Sequence, residues 1–325
     1  MSHNINFKKM SSQKHKNTVI NCLGFQRSLS QEDVEFFDVL LDTDNEGFVH
    51  YSLIKKMAPS CPLAKNMVIS IDSFMKNLFN YAHFKKSSKL STLLGGLHES
   101  NQTSLGFSFK HPKGKSVGNV LKETIQEQIE FLMESLKQGN FTPNSFYFGL
   151  DNMGPDRTSD VLVSIIKNQL IDFTEEMAAK YSLPTKSYLV DNVYNPNTGL
   201  WESRVADLPT YKGRSILLLP KFLISNRNLS NRTFRAFMSF AFEKYMKNDS
   251  CYADLVSNPK KGLTRKDLTE FLKANGIPEK EEFRKYIKGV ADLINEFEIS
   301  YSEEVTFLSD AELSEIVTQS INKFN

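Results

Sequence analysis

Hydrophobic residues recur every three or four positions in several stretches of the chain, a spacing that places them on one face of an α-helix. One long stretch runs from Val117 to Leu136, and a second runs from Val161 to Tyr181, where Pro184 ends it. A shorter stretch from Val68 to His83 has the same spacing. The pattern therefore predicts two long amphipathic helices and one helix before them.

Short apolar and aromatic runs of strand type lie between and after these helices. Two of them are joined by the turn sequence "NPNTG", which is typical of a β-hairpin. The strand-like segments are "SLGFSF" (104–109), "SFYFGL" (145–150), the hairpin within 187–205, and "SILLLPKFLI" (215–224). We expect them to form a small, mostly antiparallel sheet packed against the two long helices, which is an α+β fold.

The last hundred residues have helical spacing throughout, with a capping box at Thr264 and Asp267. By contrast, residues 1–17 are polar and basic and have almost no apolar pattern. The sequence thus predicts a flexible basic tail (1–17), an α+β core domain (18–225) and an all-helical C-terminal subdomain (226–325).

Composition narrows the class of protein but does not give its function. The net charge is +2, so a nucleic-acid partner would have to bind at a local patch. The chain has no run of 18 apolar residues and no signal-peptide pattern at its start, so we expect a cytoplasmic protein without membrane contact. The three cysteines show no zinc-binding spacing.

The segment "DNMGPDRTSD" (151–160) holds the candidate metal ligands. Asp156 and Asp160 are four residues apart, so they share a face if a helix begins near Pro155. Asp151, at the end of the predicted strand, could converge with them. Three carboxylates are suitable ligands for Mg²⁺ or Mn²⁺, which could activate water for attack on a phosphodiester. We therefore take Asp151, Asp156 and Asp160 as candidate catalytic and metal-binding residues.

The same segment also has an ordinary structural interpretation. Proline at the first helical position, Asp156 in the first turn and Ser159 as a cap would satisfy the free N–H groups of a helix start. The sequence leaves both interpretations open.

A basic segment, "KHPKGKSVGN" (110–119), precedes the first long helix. Lys113, Lys115 and Ser116 next to a helix N-terminus predict an anion or phosphate site. A true nucleotide-binding P-loop would need glycine where Phe109 stands, so no nucleotide cofactor is expected. The alternative is a solvated basic loop.

Two further motifs are weaker. Asp156 with Glu202 and Arg204 invites comparison with restriction-type nucleases, but arginine replaces their lysine. The stretch "DTDNEG" (42–47) begins like a calcium-binding loop, yet Leu53 stands where its final glutamate belongs, so a turn is expected.

The order of these motifs, from "LGFSFKHPKGKSVGN" through "GPDRTSD" to "ILLLPKFLI", resembles an uncharacterised group of bacterial proteins over about residues 100–225. We associate that group with mobile elements and antiphage defence. The resemblance implies a bacterial, cytosolic, defence-linked protein, and it assigns no catalytic residue.

Two functional hypotheses follow. The first is a metal-dependent phosphodiesterase or nuclease component that acts on nucleic acid, with the lysines holding a phosphate and the carboxylates holding the metal. The second is a non-enzymatic sensor or assembly subunit that binds a partner protein through its helical C-terminal part.

Overall fold

The computed structural model describes residues 17–98, 101–106, 123–129, 133, 141–290 and 292–324. The fold is α+β with a helical C-terminal part, as the sequence predicts. The helices are α1 (Val19–Cys22), α2 (Tyr51–Met57), α3 (Pro62–His83), α4 (Ser87–Gly95), α5 (123–129), α6 (Pro143–Gly149), α7 (Pro155–Ile165), α8 (Lys167–Tyr181), α9 (Arg227–Ala241), α10 (Arg265–Ala274), α11 (Glu279–Gly289), α12 (Leu293–Tyr301) and α13 (Asp310–Phe324). The strands are β1 (Gly47–Val49), β2 (Thr185–Asn195), β3 (Leu200–Tyr211), β4 (Arg214–Ser215) and β5 (Ile224–Asn226).

Helix α3 confirms the helix predicted from Val68 to His83, although it begins earlier, at Pro62. Proline suits that first position because its missing N–H would have no partner inside the helix. The apolar side chains at helical spacing form a continuous buried face, which includes Met67, Ile71, Phe74 and Leu78. This face packs against the neighbouring helices α2 and α4, as well as α7 and α8.

The predicted strand at 145–150 is wrong, because this segment lies in helix α6. Pro143 occupies its first turn, and Thr142 and Ser145 form a capping box. All seven residues of α6 are buried, so the helix has no polar face. A short aromatic run without polar interruption does not distinguish a buried strand from a buried helix, which explains the error.

The predicted single helix over 161–181 is two helices, α7 and α8, separated at Ile166. The backbone of Ile166 has φ −91° and ψ 11°, outside the regular helix. Neither glycine nor proline marks this break, and the hydrophobic spacing continues across it. The sequence pattern therefore predicts one helix instead of two.

Helices α7 and α8 pack against the predicted β-hairpin, which the structure confirms as β2 and β3. The register pairs Thr185 with Pro209 at one end and Asn195 with Leu200 at the turn. The paired side chains of Leu189 and Val205 are 66% and 67% exposed, so this part of the hairpin's outer face is open to solvent. Strand β4 extends the hairpin, and β1 with β5 forms a separate two-stranded antiparallel sheet.

The other two predicted strands differ from the structure. In 104–109, Leu105 forms one isolated parallel bridge with Asn45, and 107–109 lie outside the described residues. The segment 215–224 is not one strand, because residues 216–219 are buried without strand pairing. There the Leu217 N–H donates to Gln102 O (3.0 Å) and the Leu218 N–H to Thr174 Oγ1 (2.9 Å). These partners replace a strand ladder, so burial alone suggested a strand incorrectly.

The helices after residue 226 pack back onto the earlier part of the chain. The ring of Phe237 on α9 stacks on Phe148 of α6, with ring centroids 4.2 Å apart, and Phe297 of α12 meets both rings edge-on. The capping box that was predicted for α10 is confirmed at Thr264 and Asp267. One cluster of buried apolar side chains includes residues on both sides of 226, and the division into domains stays a prediction.

Membrane-spanning helices are absent from the part of the chain that the structure describes, where every helix is too short or too polar for that purpose.

Candidate functional site

The segment 151–160 follows helix α6 and leads into α7, so Asp151 lies in a turn after a helix and not at the end of the predicted strand. Helix α7 begins at Pro155, which confirms the predicted start, and Gly154 is its N-cap residue. Ser159 is not the cap. Its Oγ accepts a hydrogen bond from the Val49 N–H (2.9 Å), and this bond ties the second turn of α7 to strand β1.

Asp151 forms a two-pronged ion pair with Arg284 on α11. The Arg284 Nη1 donates to Asp151 Oδ2 (2.7 Å), and Nη2 donates to Oδ1. The N–H of Asp151 itself donates to Gln128 Oε1 (2.7 Å) on α5. Bidentate pairs of this kind fix the orientation of both groups. The carboxylate of Asp151 is therefore engaged in holding the C-terminal helices.

Lys280, one turn before Arg284 on α11, holds the same segment from inside. Its Nζ donates to the carbonyl oxygens of Tyr147 (2.8 Å) and Met153 (3.2 Å). Burial lowers the pKa of Lys280 to about 8, because the charged ammonium loses its water. The turn between α6 and α7 is thus fixed by two basic residues from one helix, a contact that no local sequence pattern indicated.

Asp156 lies in the first turn of α7, where the positive end of the helix dipole favours a carboxylate. The neighbouring side chains bond to carbonyl oxygens and cap no N–H group, since Thr158 Oγ1 donates to Gly154 O (2.9 Å) and Arg157 Nη1 to Asn152 O (2.7 Å). Asp160 follows one turn later and is half-buried. The structural interpretation of the segment is therefore partly correct, but it does not account for what lies opposite Asp156.

Gly106 brings Asp156 close to a second carboxylate, that of Asp44. A side chain at Gly106 would place its Cβ 3.2 Å from Asp44 Oδ2 and 3.3 Å from Asp156 Oδ1. Gly106 also has φ +128°, a backbone conformation that favours glycine. The Gly106 N–H donates to Asn45 O (3.1 Å), which holds the chain at this point. The two carboxylates therefore face the same backbone position.

Asp44 is not among the candidate residues of the sequence analysis. The motif "DTDNEG" lacks the final glutamate of a calcium-binding loop, so only a turn is predicted there. The turn itself is present, since the Asn45 side chain accepts from the Leu40 N–H and donates to Leu40 O and Ser104 O. An acidic turn of this kind was the one sequence signal that could have indicated Asp44.

The predicted phosphate-binding residues Lys113, Lys115 and Ser116 lie outside the described residues, as does Lys110. The last described residue before them is Gly106.

No group of three or more His, Cys, Asp or Glu side chains suited to a metal ion occurs within the described ranges. In particular, Asp151 pairs with Arg284 and does not complete a set with Asp156 and Asp160. In the nuclease-like motif, the Arg204 guanidinium is engaged elsewhere, because it forms ion pairs with Asp172 (2.6 Å) and Glu175 (2.8 Å) on α8.

Comparison with known proteins gives one family and no characterised relative. No curated protein and no solved structure shows significant similarity to the chain. The sequence profile described as "Domain of unknown function (DUF8370)" matches residues 26–231, which include Asp44, Gly106 and the whole of α7. Because this match covers more than half of the chain, the protein belongs to the DUF8370 family.

Proposed function

We propose that the protein is a metal-dependent phosphodiesterase or nuclease component that acts on nucleic acid. The observation that carries this proposal is the approach of Asp44 and Asp156 to Gly106, which precedes the basic segment 110–119 in the sequence. The proposal places Lys113 and Lys115, which follow Gly106 in the sequence, beside these two carboxylates, which is the pairing that phosphodiester chemistry uses.

In this proposal, Asp44 and Asp156 would hold one Mg²⁺ or Mn²⁺ ion, which supplies a bound water of lowered pKa as the nucleophile. Two carboxylates are a sufficient protein contribution, because Mg²⁺ commonly keeps several waters and completes its shell with phosphate oxygens. Asp160, one turn after Asp156, would accept from the waters of that shell. Lys113 and Lys115 would bind the phosphate next to the scissile bond, with Ser116 as a further donor.

Asp151 has a different part in the proposal from the one its position in the sequence suggests. Its pairing with Arg284 makes it a positioning residue, which fixes the turn that precedes α7. The resemblance to defence-linked proteins adds a substrate class, the nucleic acid of an invading element.

The test is a cleavage assay with plasmid, linear DNA and RNA in Mg²⁺ or Mn²⁺. We expect cleavage that chelation abolishes, and we expect Asp44→Asn and Asp156→Asn each to lower the rate about 100-fold or more, since each removes a ligand charge. Asp207→Asn is the matched control, because Asp207 is exposed on strand β3 and takes no part in the proposed site. Circular dichroism of each variant shows that it is folded.

Asp151→Asn separates the two kinds of carboxylate. It should lower the stability but keep the cleavage rate within about threefold at a temperature where the variant is folded, because Asp151 is not a ligand. Absence of cleavage of every substrate with both metals would refute the proposal. Full activity in the Asp44→Asn and Asp156→Asn double variant would refute it equally.

A further inference from the structure

A cavity of about 860 Å³ opens among the C-terminal helices, outside the segment that matches the family profile. Its walls come from the segment after α9, from α10 and from α11. This volume lies in the range of small-molecule sites, about 300–1,000 Å³. Most of the described side chains that line it are aromatic, aliphatic or acidic, a combination that decides which ligands the cavity can bind.

Four aromatic rings surround the cavity. Tyr252 and Tyr286 stack on each other with ring centroids 6.1 Å apart, and Tyr245 and Phe271 complete the set. The faces of aromatic rings carry partial negative charge, so a group of rings attracts a cation that has shed part of its water.

The charged groups of the lining have the same preference. Asp249, Asp254 and Glu282 are acidic, whereas Lys285 supplies the one positive charge among the described lining side chains. Lys285 Nζ lies 2.9 Å from Glu282 Oε2 and so neutralises that carboxylate. Asp249 and Asp254 are left to give the cavity a net negative charge.

The tyrosine hydroxyls strengthen this preference because they donate to the carboxylates of the same cavity. Tyr252 donates to Glu282 Oε1 (2.7 Å), and Tyr286 donates to Asp249 Oδ2. The second hydrogen bond also lowers the pKa of Asp249, which keeps the carboxylate ionised at neutral pH. An anionic ligand would meet two phenols whose protons are already committed, next to carboxylates that repel it.

We propose that this cavity binds an organic ammonium ion, of the polyamine or quaternary amine class. The positive nitrogen lies against the rings of Tyr252 and Tyr286 and near the carboxylates of Asp249 and Asp254. The alkyl part packs on the aliphatic side chains of the wall, such as Leu255 and Ile277. The inference is independent of the proposed phosphodiesterase site, because the cavity and that site share no residue.

The test is isothermal titration calorimetry of the full chain with spermidine and with tetramethylammonium, at physiological salt. We expect saturable binding of at least one of them, and none of inorganic phosphate. Phe271→Leu should weaken binding about threefold or more through loss of a ring, and Asp254→Asn about threefold through loss of a charge.

The control variants separate a built site from general attraction to an acidic surface. Asp207→Asn removes the same charge from the exposed hairpin and should leave the affinity unchanged. Asp254 is exposed, so its replacement keeps the test valid even if Phe271→Leu does not fold. The proposal is overturned if neither cation binds, if phosphate binds equally well, or if Asp254→Asn and Asp207→Asn weaken binding to the same extent.

Discussion

Asp38 carries its carboxylate into a part of the core where burial opposes a negative charge. Its Oδ1 accepts the Ile20 N–H (2.8 Å), so it holds helix α1 against the body of the protein. Desolvation nevertheless raises the pKa of Asp38 from 3.8 to about 6, because the hydrogen bonds from Ile20 and Thr18 offset only part of the cost of burial. The residue therefore couples stability to pH.

The raised pKa of Asp38 decides in which direction stability changes with pH. Protonated Asp38 stabilises the fold fully below pH 3.8, and this stabilisation is lost as the pH rises through about 6. Asp38→Asn stays neutral and can still accept the hydrogen bond from the Ile20 N–H. Its stability relative to the wild type should therefore rise as the pH is raised from 4 to 8. We expect a gain on the order of 2 kcal/mol, measured by urea unfolding at both pH values. An equal pH dependence in Asp207→Asn and Asp38→Asn would contradict this.

At the scale of elements, Trp201 joins the hairpin to helix α4. Its Nε1 donates to Leu93 O (2.8 Å), and its ring packs against Phe74 of α3. The backbone of Gly96 lies directly beneath the indole, so a Cβ on Gly96 would overlap the ring. The close approach of two elements here depends on the absence of a side chain.

We predict that Gly96→Ala lowers the free energy of unfolding by about 2 kcal/mol, because the indole must leave its place in the core. Gly95→Ala is the adjacent control, since nothing lies within 4 Å of its Cβ position and alanine favours a helix. Thermal unfolding should show a lower midpoint for the first variant only. Equal midpoints for the two variants would show that Trp201 yields without cost.

The elements that the sequence predicts correctly are those whose pattern is local. Helix α3 and the hairpin show their periodicity within one segment, and the capping box at Thr264 and Asp267 lies within four residues. Buried elements are harder to predict, because α6 and the segment 216–219 have no solvent-facing side and hence no alternation. Their type is decided by tertiary partners.

The candidate site shows the same limit. The position of Asp156 at a helix start is readable from "GPD", but Asp44 reaches it from a turn more than a hundred residues earlier. Arg284, which forms the ion pair with Asp151, lies 133 residues beyond it in the sequence. Whether a carboxylate in one short segment is a metal ligand therefore depends on partners that lie far away in the sequence.

At the scale of the whole molecule, the pair of Asp151 and Arg284 couples the α6–α7 turn to the C-terminal helices. The side chain of Arg284 is 15% exposed and that of Asp151 is 46% exposed, so the pair is partly shielded from solvent. Loss of one partner leaves the other with a poorly compensated charge.

A double-mutant cycle measures this coupling. Asp151→Asn and Arg284→Gln should each destabilise the protein, while the double variant should be less destabilised than the sum, with a coupling energy of about 1 kcal/mol. The pair of Lys266 and Glu270, 3.7 Å apart and 81% and 66% exposed, is the control with an expected coupling near zero. Strictly additive effects at Asp151 and Arg284 would show that the two parts of the chain are not coupled through this contact.

The stacked rings of Phe148 and Phe237 have a consequence for how this protein can be divided. The family profile ends at residue 231, inside α9, so it includes Phe148 but not Phe234, Phe237 and Phe297, three aromatic side chains that contact it. A fragment that ends at residue 231 would leave one side of the Phe148 ring uncovered. We therefore expect a graft of the matched segment to be more stable when it keeps helices α9 and α12, which supply these aromatic rings.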